Sequence, residues 1–502
     1  FITRIILGDA FTAEEASHGL YGLWIWNDIK TLSWGNFWYD TGRQMVWPFL
    51  HSWLLAIFFF IFGANVIAAR LLSLVLFFVS LILLYLLANK FCARDGWKLG
   101  AVAVILMLFS PLATSFAVLN TVEVLGMVIF LLGTYLYLVD ETRKLLLYYI
   151  LLCLVLAIAF YVNYIYAFLM LIAYLVSTLV KLGPLGLEAI DLQRKGEHAA
   201  LGFIWWAYRK LIVLGILMVA VGGLFSFNFS RRLLLFMETV LNSGSEQNLN
   251  WIQGLLYYPW LIVQQISFSH WLGALMFLAL LWPKPSRRYP GVKKLYIFVW
   301  TILVLIMLVI PAKAPQIIYL IVPFICLIFS AHIFFWLEWL QKRALPAGRQ
   351  GSKLIWALAL IIVLPTLISL PRLYMMYAHV NPGGNLATVL DFVKVNLPAD
   401  GGVVVGGSLS RFNAENLKFE LHDFSGLVLS ETYLTEGEDS KVKYFVTIDL
   451  DNNSVYQSEE PNDSGYHWSG MLSERETAGQ IKNLASRHFN QIGVTVKIFE
   501  TK

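Results

Sequence analysis

The feature that most constrains this chain is the recurrence of apolar runs through its first 370 positions. Each is about 17–25 residues long, the length a helix needs to cross a hydrocarbon core of about 30 Å. A helix satisfies every backbone N–H and C=O from within, so it is the form such a run takes in lipid. Composition agrees. Of 502 residues, 58% are hydrophobic and 14% charged, where a soluble domain carries about 25% charged residues. The chain is therefore predicted to be a polytopic α-helical membrane protein, with spans over 66–89, 99–117, 122–139, 145–161, 163–180, 211–228, 260–282, 295–311, 316–340 and 354–370. Cys92, Cys153 and Cys326 lie far apart and form neither a disulfide framework nor a metal spacing. The sequence opens on Phe1, and one further membrane helix is expected to precede it.

Basic residues fall at every second connection: Lys90, Arg94 and Lys98; Arg143 and Lys144; the 181–210 stretch; Lys284 to Lys294; and Lys342 to Lys353. The positive-inside rule places all of these in the cytoplasm. The alternate connections then face outward, namely 1–65, 118–121, 162, 229–259, 312–315 and everything after 371. The expected location is the plasma membrane, crossed many times. Two regions are expected, a membrane domain over 1–370 and an extracytoplasmic domain over 371–502, where apolar runs shorten and Asp, Glu, Asn and Ser rise. Periodicity in the second predicts a small soluble α/β domain. Its helices would lie over 385–395 and 474–489, and its strands over 402–406, 443–450 and 493–500.

The first outward stretch carries the polar residues of interest. Thr12 and Glu15 have the spacing of a capping box at the start of a helix over 12–30, in which hydroxyl and carboxylate satisfy each other's backbone amides. Glu14 has no such duty. It reads either as a solvated first-turn acid or as a general base close to the bilayer surface, a role that accelerates proton transfer by about 10²–10⁴. His18 lies one turn further along the same face, where it can orient Glu14, bind a sugar hydroxyl, or simply sit at the interface. Residues 31–47 read as an aromatic interfacial loop. In it Asp40 and Arg43 either pair with each other or contact an acceptor. Residues 48–62 form an apolar helix too short to span.

Arg70 sits near the outer end of an apolar span, and an intramembrane charge is a functional candidate by default. Lys313 stands in a short outer loop between Pro311 and Pro315, against the charge bias, and invites an anionic partner such as a phosphate. Glu123 opens a span on the same side, where a helix N-terminus accommodates an acid. A divalent metal on Glu14, Glu15 and Asp40 stays open. Nothing marks a nucleic acid as a partner.

Five segments in order resemble one family. Ala13-Glu-Glu-Ala-Ser-His-Gly19 resembles the Asp-Glu-Ala segment of the GT-C glycosyltransferases of the protein O-mannosyltransferase and lipid A aminoarabinose transferase type (glycosyltransferase family 39). Residues 47–55 resemble their Pro-Pro-Leu-aromatic helix, with only one Pro of the pair present and Trp47 in place of the second, and residues 62–73 their Phe-Gly…Arg-Leu segment. Ser110-Pro111 with Glu123-Val-Leu-Gly resembles the next span pair, and Lys313-Ala-Pro-Gln316-Ile-Ile-Tyr319…Pro323 a later Lys…Tyr…Pro segment.

The resemblance implies an enzyme that moves a sugar, with inversion, from a polyprenyl-phosphate donor to a protein, lipid or glycan acceptor outside the membrane. The family's base falls on Glu14, and the longer carboxylate leaves Glu15 open as well. Gln316 and Tyr319 join His18, Asp40, Arg43, Arg70 and Lys313 as expected substrate contacts. The rival function, a multi-pass transporter or flippase of lipid-linked intermediates, calls for midplane charges and repeat symmetry. The sequence displays neither.

Overall fold

The structure is a computed structural model. It describes residues 10–45, 47–91, 95–143, 146–194, 250–310, 313–344, 386–398, 401–406, 412–422, 428–430, 442–451 and 464–501, with isolated positions 231, 234, 409 and 454. The spans expected over 211–228 and 354–370 and the boundary expected at 371 lie outside these residues.

Helix α1 (Ala13–Lys30) begins with the capping box anticipated from its spacing. The Thr12 hydroxyl accepts from the Glu15 amide at 3.3 Å, and the Thr12 amide donates to Glu15 Oε2 at 3.0 Å. The chain then reverses at Leu32, which takes the left-handed φ of 55°. The turn is held by Ser33 N–H donating to Asp28 O at 2.8 Å. The aromatic stretch that follows is a helix, α2 (Trp34–Arg43), where a loop was expected. Its indoles and Tyr39 are largely exposed while Phe37 packs against Trp53. Helix α3 (Leu50–Phe62) then lies along α1.

The membrane region continues with α4 (Val66–Phe91), α5 (Gly96–Leu108), α6 (Pro111–Phe116), α7 (Glu123–Arg143), α8 (Leu146–Phe160) and α9 (Tyr164–Arg194). After the undescribed stretch come α10 (Trp251–Leu261), α11 (His270–Leu281), α12 (Pro290–Leu308), α13 (Pro315–Tyr319) and α14 (Val322–Ala344). Among the described residues three helical stretches are long and apolar enough to cross a membrane: 66–90, 291–308 and 322–339. Others are apolar but shorter.

Three expected spans are broken, the one over 316–340 at Leu320 and Ile321, between α13 and α14. The one over 99–117 divides at Ser110-Pro111, because proline removes an amide and Ser110 caps a new helix. The one over 260–282 divides after a π-helical turn at Ile262–Ile266. In contrast, α9 runs through to Arg194, well into the stretch read as a cytoplasmic loop.

In lipid, helices associate through close packing rather than water exclusion, and small residues provide it. A Cβ on Gly126 would lie 2.3 Å from the Tyr166 ring, and one on Gly133 2.8 Å from the Tyr174 hydroxyl. A single large core therefore joins α4 to α14.

The C-terminal region is a five-stranded mixed sheet in the order β2-β1-β3-β5-β4. Its strands are β1 (Gly402–Gly406), β2 (Val428–Ser430), β3 (Val442–Leu450), β4 (Ile481–Phe489) and β5 (Val494–Thr501), with helices α15 (Leu386–Asn396), α16 (Ala414–Glu420) and α17 (Ser464–Thr477). β1, β2 and β3 run parallel, and β5 and β4 close the sheet antiparallel. The helix expected over 474–489 is instead the end of α17 followed by β4. Gly479, at φ 70°, stops the helix, with Gln480 N–H donating back to Arg475 O at 2.9 Å.

This small domain is docked on the membrane part through α16. Phe419 packs on Phe11 with ring centroids 5.0 Å apart, and Asn416 Nδ2 donates to Phe11 O at 2.8 Å.

Candidate functional site

The N-terminal turn of α1 is the centre of a buried polar layer. Glu15 is fully buried and each of its oxygens accepts twice. Oε1 accepts from Arg70 Nε at 2.9 Å and Asn120 N–H at 3.0 Å. Oε2 accepts from Arg70 Nη2 at 3.1 Å and Thr12 N–H at 3.0 Å. Asn120 Nδ2 also donates to Glu15 O at 2.9 Å. A carboxylate buried this deeply is tolerable only when paired and hydrogen-bonded on all sides.

The arrangement divides the two acids that stand together in sequence. Glu15 is a hub tying α1 to α4 and to the turn before α7. Glu14, its neighbour, is half-buried and lies within electrostatic range of Tyr166.

Arg70 was expected at the outer surface against a phosphate. It is instead 4% exposed, and its guanidinium faces Glu15 and the Ala10 carbonyl. Lys313 is half-buried. Its ammonium caps the end of α12, donating to the carbonyls of Ile306, Met307 and Ile310 at 2.6, 3.2 and 2.6 Å. Desolvation lowers its pKa from the ordinary lysine range. A phosphate at this position would have to draw the ammonium away from those carbonyls. Asp40 and Arg43 pair with each other at 2.9 Å, and the guanidinium also lies 3.6 Å over the Trp24 ring. Asp40 additionally faces Asp28, whose carboxyl is pushed up to about 6, first by burial and then by the Asp40 charge.

Around the helix end gather buried polar groups that sequence reasoning had treated lightly or missed. Glu123 is 1% exposed beside Thr121 and Tyr166, and its Oε2 finds no hydrogen-bond partner among the described residues. The same holds for Gln316 Oε1, the Tyr319 hydroxyl, Asn120 Oδ1 and Ser73 Oγ. Tyr166 links α9 to α13 by donating to Gln316 O at 3.1 Å. His18 was anticipated from its spacing to Glu14. Its partner His51, 5.3 Å away in α3, was not, because nothing within one helix announces a contact between two. Burial and the nearby His51 hold the His18 imidazole well below its ordinary pKa.

Apart from Lys313, which caps α12, the sequence-predicted residues thus separate into two groups. Glu14, Glu15, His18 and Arg70 meet at the end of α1, and Gln316 and Tyr319 join the same layer through Tyr166. Asp40 and Arg43 lie on the α1–α2 hairpin. Among the described residues no group of three or more His, Cys, Asp or Glu side chains is placed to hold a metal ion. In particular, Glu15, which an ion shared with Glu14 and Asp40 would need, has its oxygens committed elsewhere.

Residues 47–184 match the family model described as dolichyl-phosphate-mannose-protein mannosyltransferase. Among solved structures, ArnT from Cupriavidus metallidurans in the apo state superposes with a TM-score of 0.59 at 12% identity, covering 98% of this chain and 94% of that one. The fold is the GT-C fold. The same ArnT bound to undecaprenyl phosphate gives a TM-score of 0.56 at 13% identity, with the same coverage. The oligosaccharyltransferase AglB from Archaeoglobus fulgidus, in complex with an inhibitory peptide and a dolichol-phosphate, gives 0.53 at 13% identity. It covers 87% of this chain and 65% of its own. No curated protein matches in sequence. The resemblance read from five loose motifs therefore holds at the level of architecture, including the C-terminal region that those motifs did not reach.

Proposed function

We propose that this protein is a membrane glycosyltransferase that moves a sugar from a polyprenyl-phosphate donor to an acceptor hydroxyl outside the membrane, with Glu14 as general base. The observation that carries the proposal is the division of labour at the start of α1. Glu15 is fully committed to Arg70, Asn120 and Thr12, and this pins the helix end that presents Glu14. The likeness in fold to ArnT bound to undecaprenyl phosphate, and to AglB in complex with an inhibitory peptide and a dolichol-phosphate, supports the donor class.

The reaction is a single displacement. The acceptor oxygen attacks the anomeric carbon while its proton passes to the Glu14 carboxylate. The bond from that carbon to the phosphate oxygen breaks, and polyprenyl phosphate leaves. One displacement inverts the anomeric centre. Lys313 exchanges helix-end carbonyls for the phosphate as negative charge develops there. Tyr319 and Gln316, whose side chains hold buried polar atoms without a partner among the described residues, contact the substrate from the same side. Asp40 and Arg43 border the acceptor's approach over the α1–α2 hairpin. The active end of α1 and the C-terminal sheet face away from the cytoplasm.

The test is transfer of radiolabelled sugar from polyprenyl-phosphate donors in membranes. Glu14→Gln is expected to lose about 10²–10⁴ in rate with donor binding retained. Full activity in Glu14→Gln would remove the assignment.

A further inference from the structure

Helices α1 and α3 run side by side with their contacts in register. At one rung Gly22 meets Leu55 so closely that a Cβ on the glycine would lie 2.6 Å from the leucine side chain. Four residues nearer the N-terminus on both helices, the next rung pairs His18 with His51, ring centroids 5.3 Å apart and edge to face. Trp47, four residues before His51, sets its indole 5.1 Å from the His18 ring. Glu14, four residues before His18, extends the same face one turn further. The seam therefore leads from a tight crossing, past two imidazoles and an indole, to the proposed base.

Both imidazoles are buried, His18 at 1% exposure and His51 at 0%. Nevertheless His18 Nε2 and both ring nitrogens of His51 have no hydrogen-bond partner among the described residues. A buried polar atom left unpaired costs about 1–3 kcal/mol. Three such atoms from two facing side chains are poor packing and good recognition. A neutral imidazole offers one donor and one acceptor. Two of them beside an indole match the two surfaces of a pyranose or pentose, its hydroxyls and its apolar C–H face.

We infer that His18, His51 and Trp47 form a carbohydrate subsite that holds the donor's sugar beside Glu14. This rests on the proposed transferase function and adds to it the residues that read the sugar. The depth of the two rings within the α1–α3 seam favours the lipid-borne sugar over an acceptor arriving from solvent. The same chemistry explains why neither histidine is positioned as an anion ligand: uncharged rings give the phosphate nothing that a cation would.

The experiment compares binding of undecaprenyl phosphate with binding of undecaprenyl phosphates carrying mannose, glucose, galactose or arabinose, using the full chain in lipid nanodiscs. The wild type is expected to bind at least one glycosylated lipid more tightly than the bare lipid. His51→Ala is expected to reduce that advantage by about 3- to 10-fold, the worth of one neutral hydrogen bond, with affinity for bare undecaprenyl phosphate unchanged. His51→Gln, which keeps a donor and an acceptor, restores part of it. An undiminished sugar advantage in His51→Ala overturns the subsite and leaves the transferase reading standing. A wild type that binds neither lipid overturns the transferase reading itself. If His51→Ala loses the bare lipid as well, His51→Gln decides: retained bare-lipid binding with a reduced sugar advantage supports the subsite, and loss of both overturns it. Tight zinc binding by the wild type that both variants lose, with no sugar preference in any of the three, also overturns it.

Discussion

Replacing Arg70 by Met separates two roles that its position in sequence leaves together. If Arg70 holds a lipid phosphate, the variant binds donor weakly and folds normally. The structure argues the reverse. Arg70 and Glu15 are 4% and 0% exposed and joined by contacts of 2.9 and 3.1 Å, so the variant leaves a carboxylate buried without its countercharge. Breaking a buried pair from one side costs about 3–5 kcal/mol. Glu15 keeps two backbone donors, Thr12 N–H and Asn120 N–H, both at 3.0 Å, which places the expected loss at the lower end of that range.

The double variant Glu15→Gln/Arg70→Met removes the stranded charge but sets an amide NH2 against one of the two backbone N–H donors, so it should recover part of the loss, giving a coupling energy of about 1–3 kcal/mol in a double-mutant cycle. The assay is denaturant or thermal unfolding of the detergent-solubilised chain, with undecaprenyl phosphate binding measured in parallel. An Arg70→Met protein that unfolds like wild type and has lost lipid affinity would refute the ion-pair reasoning.

The α1–α2 hairpin carries its own pH dependence. Asp28 has its carboxyl raised to about 6 by burial and by Asp40, so the folded state holds a proton that the unfolded chain has released. Its contribution to stability is then fully present below the unfolded value near 4 and is lost as pH rises through about 6. Unfolding measured between pH 4 and 7 should show this slope in wild type and lose it in Asp28→Asn. Phe419→Ala removes the buried ring that joins α16 to Phe11 and to Phe59. It should cost about 3–5 kcal/mol and expose the C-terminal region to limited proteolysis, and Asn416→Ala should do so more weakly.

The local features were legible because their partners are close in sequence. The capping box is a three-residue relation, and the Thr12 and Glu15 bonds follow from spacing alone. Continuous apolar length marked α4, α12 and α14 as capable of crossing a membrane. The break at Ser110-Pro111 and the stop at Gly479 were present as residue types, but apolar runs on either side of the first and a polar helical pattern across the second concealed them. The break after Ile266 had no such marker, since a π-helical turn leaves no residue signature.

What the sequence by itself determined, then, is the class of molecule and the place of its polar residues: helices long enough for lipid, with two acids at the start of a helix that precedes them. Tertiary structure alone decided what those residues do. Glu15 meets Arg70 across 55 positions and Asn120 across 105, and Asn416 reaches Phe11 across 405. No periodicity encodes such distances. Burial decides the rest: the same carboxylate side chain is a structural hub when both oxygens are filled away from water, and a candidate base one residue earlier, where it is half-buried and within electrostatic range of Tyr166.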